Sequence, residues 1–468
     1  MIFKPFEKKL FPSPPTLKAL IGPSFIILGL GLGSGEFILW PYLTSNFGMG
    51  IIWGALLGLT LQFFMNMEIE RYALARGESV FVGLTRKFRY ISFWFLLSTF
   101  IPWIWPGIVA SSGTLISSVL GLNNPTLVSI VLLILIGLIL SLGPVLYKTV
   151  ETFEKGLILL GVPSIFILSI ILSKPNHWVD ASKGLIGIGE GYMILPEGIM
   201  IATFLAALAY AGAGGNLNLA QSFYVREKGY GMGKYAGKIT SLLTGKKEDV
   251  KLTGNSFEIN AESLSFFNKW WKNINIEHFF IFWLTGSITI VLLGLLSYAT
   301  VFGIEGNSQG ITFLINEAAA ISGLLFPAAG TFFLIVGSLT LFGTQLTVFD
   351  ATSRILAENT VITAYPRLNE KHIRKSYYVV LWLQIIAGII IFKNGFTQPL
   401  QLLTLAAVMN AFAMFVHVGL TLWLNMTSLE KELRPSLIRI TMMVFGFIFY
   451  GSFSIYTIFT EVSKFIQK

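Results

Sequence analysis

The chain has 468 residues, of which 54% are hydrophobic and 12% charged, and a formal net charge of +9 at pH 7. A soluble domain carries about 25% charged residues, so this chain has too little polar surface to dissolve as a globule. It contains no cysteine, which excludes disulfides, thiolate metal sites and cysteine nucleophiles.

Long apolar runs recur from end to end, the pattern of an all-α polytopic membrane protein rather than the short alternating strands of a β-barrel. The N-terminal "MIFKPFEKKLFPSPP" is basic and proline-rich and leads directly into the first apolar run, so no cleavable signal is expected. Eleven spans are predicted near 17–47, 48–68, 92–121, 126–147, 156–173, 196–226, 279–302, 329–349, 377–393, 399–424 and 437–460. They order the chain into a cytoplasmic tail (1–16), a first repeat of five spans (17–173) and an external loop (174–195). A second repeat of five spans (196–424) follows, with a cytoplasmic loop at 227–278, and then an eleventh span and C-terminus (425–468).

Charge orients these spans. With the N-terminus in the cytoplasm, 28 of the 33 Lys and Arg residues fall inside, and only Lys174, Lys183, Lys393, Lys464 and Lys468 fall outside. Such asymmetry is the positive-inside pattern, and it places the C-terminus outside. It also explains the net charge without a nucleic-acid partner. The expected location is a multi-pass protein of the lipid bilayer, the cytoplasmic membrane in a prokaryote. The apolar piece "ITFLINEAAAISGLLF" (311–326) contains Glu317 and spans only 16 residues. Were it to cross, the basic loop 354–375 would move outside, so an external or interfacial helix is predicted. The hydrophilic segment 227–278 carries "FFNKWWKN" near its end and no nucleotide fingerprint. It reads as a connector whose aromatics rest on the membrane interface.

Two spans are interrupted by glycine. Span one contains Gly29, Gly31, Gly33, Ser34, Gly35 and then Glu36; span six contains "AYAGAGGNLNLAQS" (209–222), with Gly212, Gly214, Gly215 and Asn216. Five spans separate corresponding positions, so spans 1–5 and 6–10 would be repeats of opposite orientation. Paired glycine interruptions in two halves mark a transporter's binding site, because unwound backbone must line a cavity or hold a ligand. The spacings Gly29-x-x-x-Gly33 and Gly31-x-x-x-Gly35 also suit close helix packing. The matching positions, each followed by a polar residue, favour the site.

The stretch "GPSFIILGLGLGSGEF" (22–37), the pattern "QFFMNMEIERYALARGES" from Gln62 and the break in span six together resemble the Nramp metal-ion transporters. That family belongs to the group with the LeuT-type inverted-repeat fold. The resemblance implies a 5+5 inverted repeat with helices 1 and 6 broken, plus an eleventh helix. In the family, an Asp and an Asn of span one and a Met of span six hold the metal, helped by an Ala carbonyl. Here Gly33, Ser34, Gly35 and Glu36 stand where the family has Asp-Pro-Gly-Asn. Gly214, Gly215 and Asn216 replace Met-Pro-His, and Ala211 alone keeps its type. The thioether is gone, which leaves a hard oxygen set suited to Mg²⁺ or a similar cation. Span three (93–122) carries no acid or base, so the family's proton route is not expected.

Two transport readings follow. In the first, a divalent cation is anchored by Glu36, with carbonyls near Ala211 and Ala213 completing the shell. In the second, backbone nests at Gly33-Ser34-Gly35 and Gly212-Ala213-Gly214-Gly215 hold bicarbonate or another small anion, or a small carboxylate. His417 in span ten suits a proton relay. Asn410, Gln345 and Asp350 are candidate cavity-lining residues. A co-transported H⁺ or Na⁺ is the expected partner, and no cofactor is expected. A non-transporting sensor lacks positive signals, and no nucleophile–base pair in the spans points to an enzyme. The oligomeric state is not legible.

Overall fold

The computed structural model describes residues 3–15, 20, 22–142, 146–237 and 251–466. The predicted start of span one at 17–19, the centre of the connector at 238–250 and Lys468 lie outside the described residues.

Ten helices among the described residues are long and apolar enough to cross a membrane. They are α1 (Pro23–Phe47), α2 (Trp53–Arg76), α3 (Ile91–Leu120), α4 (Pro125–Leu142) and α5 (Leu146–Leu172), then α7 (Ala261–Val301), α8 (Pro327–Thr363), α9 (Glu370–Lys393), α10 (Pro399–Ser428) and α11 (Leu437–Ile466). The sixth crossing is divided into α6a (Ile201–Ala209) and α6b (Gln221–Lys228), each too short to span alone. With it the predicted order of eleven crossings is complete.

The two glycine-rich segments differ. In α6 the helix ends at Ala209 and resumes through a 3₁₀ turn, Gly215–Ala220. Gly214 and Gly215 there take φ of 74° and 55°, which only glycine adopts without strain. In α1 the predicted interruption takes a different form. The helix stays continuous and widens into a π segment over Leu32–Leu39. Hydrogen bonding therefore continues through the glycines, in a turn that shifts register by one residue.

Helices α2, α7 and α8 run past their predicted inner boundaries of 68, 279 and 349. Hydropathy marks only the stretch that hydrocarbon can hold. Beyond it the helices continue because their charges bury against one another. Arg226 of α6b pairs with Glu358 of α8 at 3.0 Å, while Arg354 of α8 pairs with Glu227 of α6b and, at 2.8 Å, with Asp350. These crossed pairs lock α6b to α8. Asp350 also accepts the Tyr377 hydroxyl at 2.8 Å, so its carboxylate is engaged in this buried ion-pair network.

The "FFNKWWKN" patch lies on the N-terminal extension of α7, whose start Asn260 caps by accepting the Ser263 N–H at 2.9 Å. The predicted interfacial role fails for Trp270, which is buried and donates to the Pro12 carbonyl at 2.9 Å. Trp271 lies 3.9 Å from the Arg71 guanidinium. Nearby, β1 (Glu7–Lys8) and β2 (Asn255–Ser256) pair in parallel, so tail and connector occupy the same end of the bundle. At the other end, the helix Thr312–Leu324, 13 residues long, packs against α7 and α8. Its Glu317 is buried, and burial pushes its carboxyl up to about 8.

Candidate functional site

The glycines of α1 are places of close approach. A Cβ on Gly29 would meet the Glu154 carboxylate of α5 at 2.0 Å, and one on Gly31 the Gly212 backbone at 2.8 Å. On Gly33 it would meet Thr344 of α8 at 2.7 Å, and on Gly35 the Tyr210 carbonyl at 1.5 Å. The packing reading of these four glycines is therefore correct. They let α5, α6 and α8 press on one helix. Thr344 stitches the wide turn: its hydroxyl donates to the Gly29 carbonyl at 2.7 Å and accepts the Gly33 N–H at 3.0 Å.

In α6 the gap is bridged by Gln62 of α2. Its Nε2 donates to the Ala209 carbonyl at 3.0 Å. Its Oε1 accepts the Gly214 N–H at 3.3 Å and Asn218 Nδ2 at 3.0 Å. One amide thus replaces bonds that the broken helix cannot make, as a low-dielectric setting requires. Ala211 and Ala213 are buried, and a Cβ on Gly58 of α2 would lie 2.9 Å from Ala211 Cβ. Gly215 sits beneath Asn410 of α10, whose Nδ2 donates to the Tyr210 hydroxyl at 3.0 Å. Tyr210 stacks on Trp103 of α3 at 5.4 Å.

Glu36 is fully buried, and neither carboxylate oxygen has a hydrogen-bond partner. It faces α7, where a Cβ on Gly286 would lie 3.5 Å from Oε1, with Leu28 and Leu59 alongside. Ser34 Oγ and Asn410 Oδ1 are also buried without partners. Among the described residues, no Lys, Arg or His side chain forms an ion pair with Glu36.

The remaining predicted residues lie elsewhere. Asn216 Nδ2 is shared by Ser98 Oγ at 2.7 Å and Thr99 Oγ1 at 2.9 Å on α3. Its Oδ1 lies 3.3 Å from His417 Nδ1, and His417 Nε2 lies 3.0 Å from Met65 Sδ. Asn216 and His417 thus form a separate group on the α3 and α10 side, with no hydrogen bond to Glu36 among the described residues. Gln345 accepts the Val109 N–H of α3 at 3.3 Å. Among the described residues no three His, Asp or Glu side chains are grouped so as to hold a metal.

Gln62, Thr344, Tyr210 and Glu154 were not among the predicted site residues. Glu154 accepts the Thr347 hydroxyl and rests on Gly29. It precedes the predicted start of span five by two residues, so an apolar-run boundary hid it. Intramembrane polar residues are functional candidates by default, and that signal was available for Gln62 and Thr344.

No protein-family model matches the chain, and no curated protein matches it. Solved structures do. A mutant form of the manganese transporter of Eremococcus coleocola is 13% identical with a TM-score of 0.72, covering 98% of this chain and 91% of that one. The same transporter bound to an aromatic bis-isothiourea compound gives 13% and 0.67, covering 96% and 88%. MhsT in complex with L-phenylalanine gives 13% and 0.51, covering 93% and 97%. At such identities the likeness lies in the fold, and the chain has the LeuT-type inverted-repeat fold in the form seen in the manganese transporter.

Proposed function

We propose that the chain is a secondary transporter of a divalent metal cation, with Glu36 as the anchoring carboxylate. The observation that carries this reading is the pair of unpartnered Glu36 oxygens, fully buried where α1 faces α7. A bare buried carboxylate is costly, and a cationic cargo supplies the partner it lacks. Ser34 Oγ of α1 and Asn410 Oδ1 of α10 are further buried oxygens without hydrogen-bond partners. Carboxylate, carbonyl and water suit Mg²⁺ and Mn²⁺. The likeness to a manganese transporter supports the same class of cargo. The anion reading has less support, because the Gly33 and Gly214 N–H groups already donate to Thr344 and Gln62. The N-terminus is assigned to the cytoplasm, on the charge asymmetry and the pairing of tail with connector.

Flux into proteoliposomes tests this. Saturable Mn²⁺ or Mg²⁺ uptake is expected, and Glu36→Gln should reduce it by about tenfold or more. Saturable bicarbonate flux that survives Glu36→Gln, with no divalent uptake, would overturn the reading.

A further inference from the structure

A groove lies apart from Glu36, between α3, α10 and α11. Its floor is α10, which packs on α3 at one side and on α11 at the other. Trp94, Leu97 and Ile101 of α3 form one wall, Ser454 and Ile458 of α11 form the other, and Phe412 of α10 lies between them. Its volume is about 420 Å³, and no charged side chain lines it. Leu97, Ile101 and Ile458 are 59%, 47% and 48% exposed, so the groove opens outward. Phe412 and Ser454 fall near the middle of α10 and α11, where the surroundings are hydrocarbon.

Four side chains bring a hydrogen-bond donor to this groove: Trp94, Ser98, Ser454 and Thr457. Two are satisfied within their own helices. The Ser98 hydroxyl donates to the Trp94 carbonyl at 2.6 Å, and the Thr457 hydroxyl to the Phe453 carbonyl at 2.9 Å. The other two are not. Ser454 is 2% exposed and its Oγ has no partner, and the buried Trp94 Nε1 has none either. A donor held in an apolar setting costs free energy until an acceptor meets it. An acyl chain would fill the volume and leave both donors bare. A neutral apolar molecule with two acceptors would not. Trp94 and Phe412 meet edge to face at 5.9 Å and offer aromatic surface to a flat ring.

We propose that this groove binds a neutral, membrane-dissolved quinone, one ring carbonyl accepting from Trp94 Nε1 and the other from Ser454 Oγ. The two carbonyls of a quinone stand on opposite edges of one flat ring, and the two bare donors stand on opposite walls of the groove. An apolar tail leaves through the open side into the bilayer. Binding requires no electron transfer. The site also adjoins the α6 break. Ser98 Oγ lies 2.7 Å from Asn216 Nδ2, and Asn410, on the same helix as Phe412, donates to the Tyr210 hydroxyl. Thus α3 and α10 carry the groove on one face and hold the α6 break with another.

The test uses the full chain in lipid nanodiscs and a tritiated naphthoquinone with a short prenyl chain, bound label being read by scintillation proximity. Saturable binding to wild type is expected. Ser454→Ala and Trp94→Phe each remove one donor, and each should raise Kd about five- to tenfold, the worth of one hydrogen bond. Thr457→Val removes a hydroxyl that its own helix already uses and should leave Kd unchanged. Equal Kd in wild type, Ser454→Ala and Trp94→Phe overturns the proposal. So does competition by a naphthalene with the same chain that matches the unlabelled quinone, since the groove then holds hydrocarbon only. Ser454→Ala and Thr457→Val are equally mild and one turn apart, so an equal loss in both also counts against the site. The readout needs no flux, so this site and the transport reading fail independently.

Discussion

Gly35 of α1 presses against the main-chain carbonyl of Tyr210 at the end of α6a, leaving no room for even a methyl group. A Cβ on Gly35 would lie 1.5 Å from that oxygen. The contact brings the π segment carrying Glu36 against the break in α6. Because the obstacle is backbone, it cannot rotate away.

Gly35→Ala should therefore destabilise the protein at the upper end of the about 1–3 kcal/mol typical of overpacking. Gly156→Ala is the control, since nothing lies within 4 Å of a Cβ at that α5 position. It should be neutral or stabilise by up to about 1 kcal/mol through helix propensity. Thermal unfolding of both variants in detergent checks the contrast.

Cation binding to Glu36 should appear as stabilisation. At a free Mn²⁺ concentration of about 100 Kd, linkage gives about 2.7 kcal/mol. Glu36→Gln should lose this increment while keeping a cooperative transition. An equal Mn²⁺ shift in the variant would place the cation elsewhere.

The crossed ion pairs between α6b and α8 should be costly to break. Arg354→Met leaves Asp350 and Glu227 buried without their cation and should cost about 3–5 kcal/mol. The Lys9–Glu7 pair is exposed (42% and 77%), and Lys9→Ala should cost under about 1 kcal/mol. Denaturation midpoints of the two variants measure the difference.

Glu317 should make stability depend on pH. Its folded-state value of about 8 lies above the ordinary 4.5 because burial disfavours the carboxylate. The folded protein thus holds a proton that the unfolded chain releases. This contribution is full below the ordinary value and is lost as pH rises through about 8. Glu317→Gln should flatten that part of the pH profile of thermal unfolding. An unchanged profile would assign the dependence to other groups.

The order of the crossings was legible because each apolar run must match the bilayer thickness. The division of α6 was legible from Gly212, Gly214 and Gly215. The continuity of α1 was not, although its glycine content is similar. What separates the two cases is the surrounding helices. Thr344 holds a wide but unbroken turn in α1, whereas Gln62 takes over the bonds of an open gap in α6. Asn216 and Glu36 carry similar weight in the sequence, yet Ser98, Thr99 and His417 engage Asn216 while Glu36 is left without a partner.

By itself, the sequence determined a multi-pass helical membrane protein, the succession of its crossings and the positions of its two glycine-rich segments. Those follow from local hydrophobicity and backbone freedom, which neighbouring residues carry with them. The tertiary structure alone decided which polar groups meet. Ser24 and Glu277 stand 253 residues apart, and Glu154 reaches Gly29 across the bundle. Each buried polar group must find its partner in space, and in hydrocarbon that requirement is strict. Whether Glu36, His278 or Asp350 is engaged or unpartnered therefore depends on how distant helices pack.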